Sequence, residues 1–168
     1  MGFVIKLNGL VCLGLLLPLQ GFGQTASLRA IKARYEVRSK RIALTCQLTN
    51  GDSAQTFYKP TTWDYCARLS FLTMRDAKTR KEASYFPCTY VLDLDHVPLT
   101  AANTVVLPPG GSYTFTQYLN ASHIRPYLLK GHTYALSFAF NHQYLCGGRN
   151  CQAFRGMLRS NVVYVAVP

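Results

Sequence analysis

From Arg29 to the end of the chain, apolar and polar residues alternate with a period of two, and no window beyond about ten residues carries a helical stripe. Ile42, Leu44, Cys46 and Leu48 alternate with Ala43, Thr45, Gln47 and Thr49 before the turn residues Asn50-Gly51-Asp52, so the first set is expected to face a core. Trp63, Tyr65, Ala67, Leu69 and Phe71 recur at every second position and read as the clearest strand. Val105-Val106-Leu107 stops at Pro108-Pro109-Gly110-Gly111 and is followed by Tyr113 and Phe115, giving two short strands around a tight turn. Ser122 to Lys130 has room for one helical turn. Next, Tyr134, Leu136, Phe138 and Phe140 alternate with the smaller Thr133, Ala135, Ser137 and Ala139, the pattern of a central strand packed closely on its second face. Asn161 to Val167 closes the chain as a Val-rich strand. The fold class that follows is all-β: an antiparallel β-sandwich of seven to eight strands, with a barrel as the other architecture.

The start of the chain reads differently. Lys6, an apolar run from Leu10 to Leu19 and the small-x-small triplet Gly21-Phe22-Gly23 have the layout of a secretory signal, residues 1–23, which leaves a single β-sandwich domain over 24–168. The run is too short for a membrane span and carries Pro18. Cys12 lies inside it behind Val11, where a small hydrophobe is expected rather than a lipid attachment point. The expected location is secreted or periplasmic.

Export gives the cysteines a meaning. Cys46, Cys66, Cys88, Cys146 and Cys151 follow the signal, an odd set in an oxidising compartment, which suggests two bridges and one free thiol. With a hairpin tip at Asp76-Ala77-Lys78, residues whose numbers sum to 154 oppose each other, and Cys66 with Cys88 is such a pair. The same register sets Trp63 against Val91 and Leu69 against Tyr85, with Pro87 demanding an edge or a bulge. Cys146 and Cys151 flank Gly147-Gly148-Arg149-Asn150, a turn that a local bridge can staple, and Cys46 is left as the free, buried thiol.

Charge sets the class of partner. The chain has 18 Lys and Arg against 7 Asp and Glu, a formal net charge of +11, and the leader removes only Lys6. Outside the cytoplasm such a field suits an anionic glycan, a lipid head group or an acidic protein, and compartment disfavours nucleic acid. One basic strip is Arg29, Lys32, Arg34, Arg38, Lys40 and Arg41, with Glu36 as its counter-charge; it reads either as a solvated edge strand or as a docking strip. A second is Arg149, Arg155 and Arg159, in a stretch with no acid from Gln143 to Ser160. With Tyr144 and Phe154 it makes the expected contact surface, carried on a stapled loop of about twenty residues, long for a compact domain.

The segment Leu129-Lys130-Gly131-His132-Thr133-Tyr134-Ala135-Leu136 resembles the passage into the sixth strand of fibronectin type III and immunoglobulin-like sandwiches. The resemblance implies that the Tyr134 hydroxyl returns to backbone just upstream, and that Cys46 and Trp63 stand in the positions of the core cysteine and tryptophan. The second core cysteine would lie two residues after the tyrosine, where this chain has Leu136, so no inter-sheet bridge is implied. Ala43 to Asn50, with Leu107-Pro108-Pro109-Gly110-Gly111, is also similar to exported bacterial Ig-like domains, some of which are proteinase-inhibitor-like. Such sandwiches serve many functions, so the fold alone assigns none.

Catalytic chemistry finds little footing. There is no G-x-S-x-G elbow and no cofactor motif, and no cofactor is expected. Asp93-x-Asp95-His96 is the densest acidic cluster, but alternation turns His96 away from the two carboxylates and Pro98 ends the strand, which fits a strand cap better than a metal site. Asp64 is the remaining acid considered for paired-carboxylate work, and His123, His132 and His142 are dispersed. Asn120-Ala121-Ser122 is a glycosylation sequon. The expectation is an exported, non-enzymatic sandwich that binds an anionic partner. A proteinase-inhibitor-like module using the Cys146–Cys151 loop, an accessory domain of an envelope assembly and a small hydrolase are the alternatives.

Overall fold

A computed structural model of the chain describes residues 26–51, 53–89, 99–141 and 153–168, apart from the side chains of residues 62 and 63. The expected leader 1–23, the Asp93/Asp95/His96 cluster, His142, Tyr144, Arg149 and the expected Cys146–Cys151 staple lie outside the described residues. Within them the chain is all-β and its strand ladders are antiparallel.

Eleven strands are described, more than the seven or eight expected, because several are only two to four residues long. They are β1 (Ala26–Glu36), β2 (Arg41–Asn50), β3 (Gln55–Tyr58), β4 (Ser70–Asp76), β5 (Glu82–Tyr85), β6 (Thr104–Leu107), β7 (Ser112–Asn120), β8 (Ile124–Arg125), β9 (Thr133–Asn141), β10 (Met157–Arg159) and β11 (Val163–Ala166). One sheet runs β1-β2-β7. The other runs β10-β9-β4-β5-β8, with β11 also on β9, and β3 and β6 form a separate pair.

The two sheets meet in one core, in a sandwich-like arrangement. The alternation of β2 is realised except at the small Ala43, which is buried: Ile42, Leu44, Cys46 and Leu48 are buried and Thr45, Gln47 and Thr49 only partly so. β9 lies at the centre of the larger sheet, and its Tyr134, Leu136, Phe138 and Phe140 are buried. Phe138 meets Phe115 of β7 edge-on, ring centroids 6.0 Å apart, which joins the two sheets across the core. Tyr134 accepts a hydrogen bond at its hydroxyl from the backbone N–H of Leu129, at 2.8 Å. That contact by itself identifies no immunoglobulin-like family.

Several local expectations change in detail. The segment Trp63 to Leu69 is not a strand: Thr62–Tyr65 is a 3-10 turn, and β4 begins only at Ser70. The side chain of Trp63 is outside the described residues. Phe71, at the end of that alternating row, is exposed, because β4 turns Ser70, Met74 and Asp76 inward. Strands flank the Pro108–Gly111 turn as expected, β6 before it and β7 after it, without pairing to each other. β6 pairs with β3 and β7 with β2, so the chain changes sheet at this corner. Here Gly111 has the Pro108 ring and carbonyl where a Cβ would sit, at 2.7 and 2.9 Å, and Gly110 has φ +69°. The buried Asn50 closes the corner by donating through Nδ2 to the carbonyls of Leu107 and Pro108 at 2.8 and 3.0 Å. Lastly, the long loop after β9 holds β10, and the helical turn expected after Ser122 is a 3-10 turn at Ala121–His123.

Cys66 and Cys88 are bridged, with Cα atoms 5.7 Å apart. The bridge is not made by the expected ladder. β4 and β5 pair only at Met74↔Ala83 and Arg75↔Glu82, a register in which Cys66 and Cys88 are not opposed. Beyond it β5 leaves β4 for β8, and the disulfide rejoins the two arms farther out. Closing a loop of this length restricts the unfolded chain by about 2–4 kcal/mol. Cys66→Ser with Cys88→Ser is therefore expected to lower unfolding stability by about that amount in urea melts; an unchanged midpoint would show that the splayed arms hold without the bridge.

Candidate functional site

The side chains with most chemical potential lie on the outer face of the three-stranded sheet, and a single extra residue puts them there. Ala30 pairs with Cys46 and Lys32 with Thr45, so Ile31 is a bulge in the edge strand β1. Before the bulge, Leu28 and Ala30 are buried while Arg29 is exposed. After it the parity switches: Ala33 and Tyr35 pack against the core, and Lys32 and Arg34 are exposed. Without the bulge, strict alternation would carry Lys32 and Arg34 inward. With it, Arg29, Lys32 and Arg34 stand on one face opposite Gln47, Thr45 and Ala43.

That face continues across β7, where Thr114, Thr116 and Tyr118 stand opposite Gln47, Thr45 and Ala43. Thr45 and Thr116 share a hydrogen bond at 3.2 Å, and Gln47 donates to Ser112 at 3.2 Å, so the floor is a row of hydroxyls and amides. Glu36 supplies the counter-charge expected, binding Arg41 at 2.6 Å and Arg34 at 2.8 Å. The Arg41 hydrogen bond, followed by that of Ser39, holds the Glu36 carboxyl below its ordinary range. Arg41 also stacks over the Tyr118 ring at 4.0 Å. Among the described residues Arg29 and Lys32 have no carboxylate partner. Arg38 and Lys40 extend the positive strip into the exposed β1–β2 turn.

The surface expected around Arg149, Arg155 and Arg159 is only partly assembled in the described residues. Arg155 and Arg159 are exposed. Phe154 is not a contact residue: it is buried and stacks on Phe57 at 5.3 Å, while its backbone N–H reaches the Thr56 carbonyl. β3, short and unheralded in the sequence, is what claims it. Arg159 stands on β10 beside a groove of about 340 Å³ whose floor is Ser137 and Ala139 and whose sides are Phe71 and Met157.

The described acids near the core serve turns. Asp64 is buried, accepting from the Tyr58 hydroxyl at 3.1 Å and from the backbone N–H of Thr61. Burial outweighs these donors and pushes its carboxyl up to about 6. Asp76, also buried, accepts from the N–H groups of Thr79 and Lys78 at 2.8 and 2.9 Å and faces Nδ1 of His132. The Thr79 N–H, then His132, bring it down to about 2. Cys46 is free and buried, and desolvation pushes its thiol up to about 12, which suits an inert core residue. Among the described residues no group of three or more His, Cys, Asp or Glu is placed to hold a metal ion.

No family model, no curated protein and no solved structure matches this chain.

The two acids predict opposite pH limbs. A folded value below the ordinary one stabilises the fold at higher pH, so the Asp76 contribution fades as pH falls from about 4 toward 2. A folded value above the ordinary one does the reverse, so the charged Asp64 costs stability as pH rises from about 4 through 6. Urea midpoints against pH should show Asp76→Asn flattening the acid limb and Asp64→Asn flattening the limb between pH 4 and 6. Variant curves running parallel to the parent would contradict both assignments.

Proposed function

We propose that this is an exported, non-enzymatic binding protein that docks a linear anionic glycan along the outer face of its three-stranded sheet. The observation that carries the reading is the β1 bulge, which sets Arg29, Lys32 and Arg34 in one row instead of losing two of them to the core. Successive outward positions on a strand are about 7 Å apart, a spacing a polymer with repeated anionic groups can follow. The neighbouring Thr45, Thr116, Gln47 and Ser112 offer hydroxyl and amide partners suited to a sugar. Export is supported by the leader-like start and by the Cys66–Cys88 bridge. Among the described residues no helix is long and apolar enough to cross a membrane.

Exposed ion pairs contribute ~0.2–1 kcal/mol each, so three together amount to as much as about a hundredfold in affinity. Heparin is the probe. Arg29→Ala, Lys32→Ala and Arg34→Ala combined should weaken heparin binding and lower the salt concentration needed to elute the protein, whereas Arg155→Ala with Arg159→Ala should leave both nearly as they were. The reverse result would move the site to the segment around β10. Binding to vesicles rich in phosphatidylglycerol but not to heparin would replace the glycan by a lipid surface.

A further inference from the structure

A second opening lies beside β4, away from the basic strip, and it follows from the way β4 and β5 part company. They share a ladder only at Met74↔Ala83 and Arg75↔Glu82, after which β5 pairs on its other side with β8 and the Phe86 N–H reaches the His123 carbonyl. The disulfide ties the arms together again at Cys66 and Cys88. Between the last ladder pair and the bridge is a cavity of about 540 Å³, within the range of small-molecule sites. We infer that this cavity binds a small aromatic carboxylate, its ring among Phe71, Tyr85 and Phe86 and its charge on Arg68.

Four features converge on that chemistry. Phe71 and Phe86 are apolar rings left 40% and 66% exposed at the cavity, where another ring can stack or meet them edge-on. Arg68 lines the same cavity and has no carboxylate partner among the described residues. A guanidinium fork matches a carboxylate with two parallel hydrogen bonds. Its backbone is held at φ +55°, a left-handed conformation unusual for arginine, by a turn in which the Leu69 N–H bonds the Asp64 carbonyl at 2.8 Å. The turn thus fixes where the exposed Arg68 side chain leaves the backbone, as Cys66 in the same turn is fixed by its bridge. Two further lining residues, Tyr65 and Ser70, have buried hydroxyls without a hydrogen-bond partner among the described residues.

The test uses the full chain labelled with ¹⁵N and two isosteric probes, 1-naphthaleneacetate and its uncharged amide. Titration with the acid should shift the amide signals of Arg68, Ser70, Leu72 and Tyr85 saturably, and the amide should bind at least tenfold more weakly. Arg68→Gln should erase that preference and Arg68→Lys restore part of it. No saturable shifts at these residues, or equal affinity of the unaltered protein for the acid and the amide, would overturn the proposal without reference to any variant.

Discussion

The ring of Phe138 is the contact on which the rest of the molecule depends. It is fully buried on the central strand of the larger sheet. It meets Phe115 of the smaller sheet at 6.0 Å and Tyr65 of the 3-10 turn at 6.3 Å. Through Phe115 it holds together the two sheets. Through Tyr65 it seats the turn that carries Cys66 and Arg68. Tyr65 in turn meets Tyr85 edge-on at 4.9 Å, so the two arms that part beyond the β4–β5 ladder are joined by an edge-to-face ring pair inside and by a disulfide farther out. A splayed pair of strands can stay open only where such fastenings replace the missing ladder.

Much of this architecture was legible because β2 and β9 obey a clean period of two, and the parity that buries Ile42 to Leu48 and Tyr134 to Phe140 can be read without a structure. The same rule misled at Trp63 to Phe71. There the alternating residues fall on a 3-10 turn and the tight loop after it, and the informative residue is Asp64, a carboxylate buried to hold Thr61 and Tyr58. Cys66–Cys88 was found for a partly wrong reason: the two residues are neighbours, but through converging arms and not through ladder register. Phe154 read as a surface aromatic because its partner Phe57 sits on a four-residue strand too short to announce itself.

The basic strip shows how local and global demands meet. Leu28 and Ala30 are even-numbered and buried, Ala33 and Tyr35 odd-numbered and packed on the core, so the sequence contains a change of parity near Ile31 that marks the bulge. A bulge on an edge strand also discourages pairing with a second sheet, as do the exposed lysine and arginines. The arrangement therefore protects an edge and lines up positive charge, and both results come from one inserted residue.

The most direct measurement is a map of amide signals in the ¹⁵N-labelled protein titrated with a heparin oligosaccharide at two salt concentrations. The account predicts salt-sensitive shifts along one row, at Arg29, Lys32 and Arg34 and at their neighbours Thr45 and Thr116, with the signals of Met157 to Arg159 unmoved. Shifts confined to β10 and its surroundings, or no shifts at all, would contradict it.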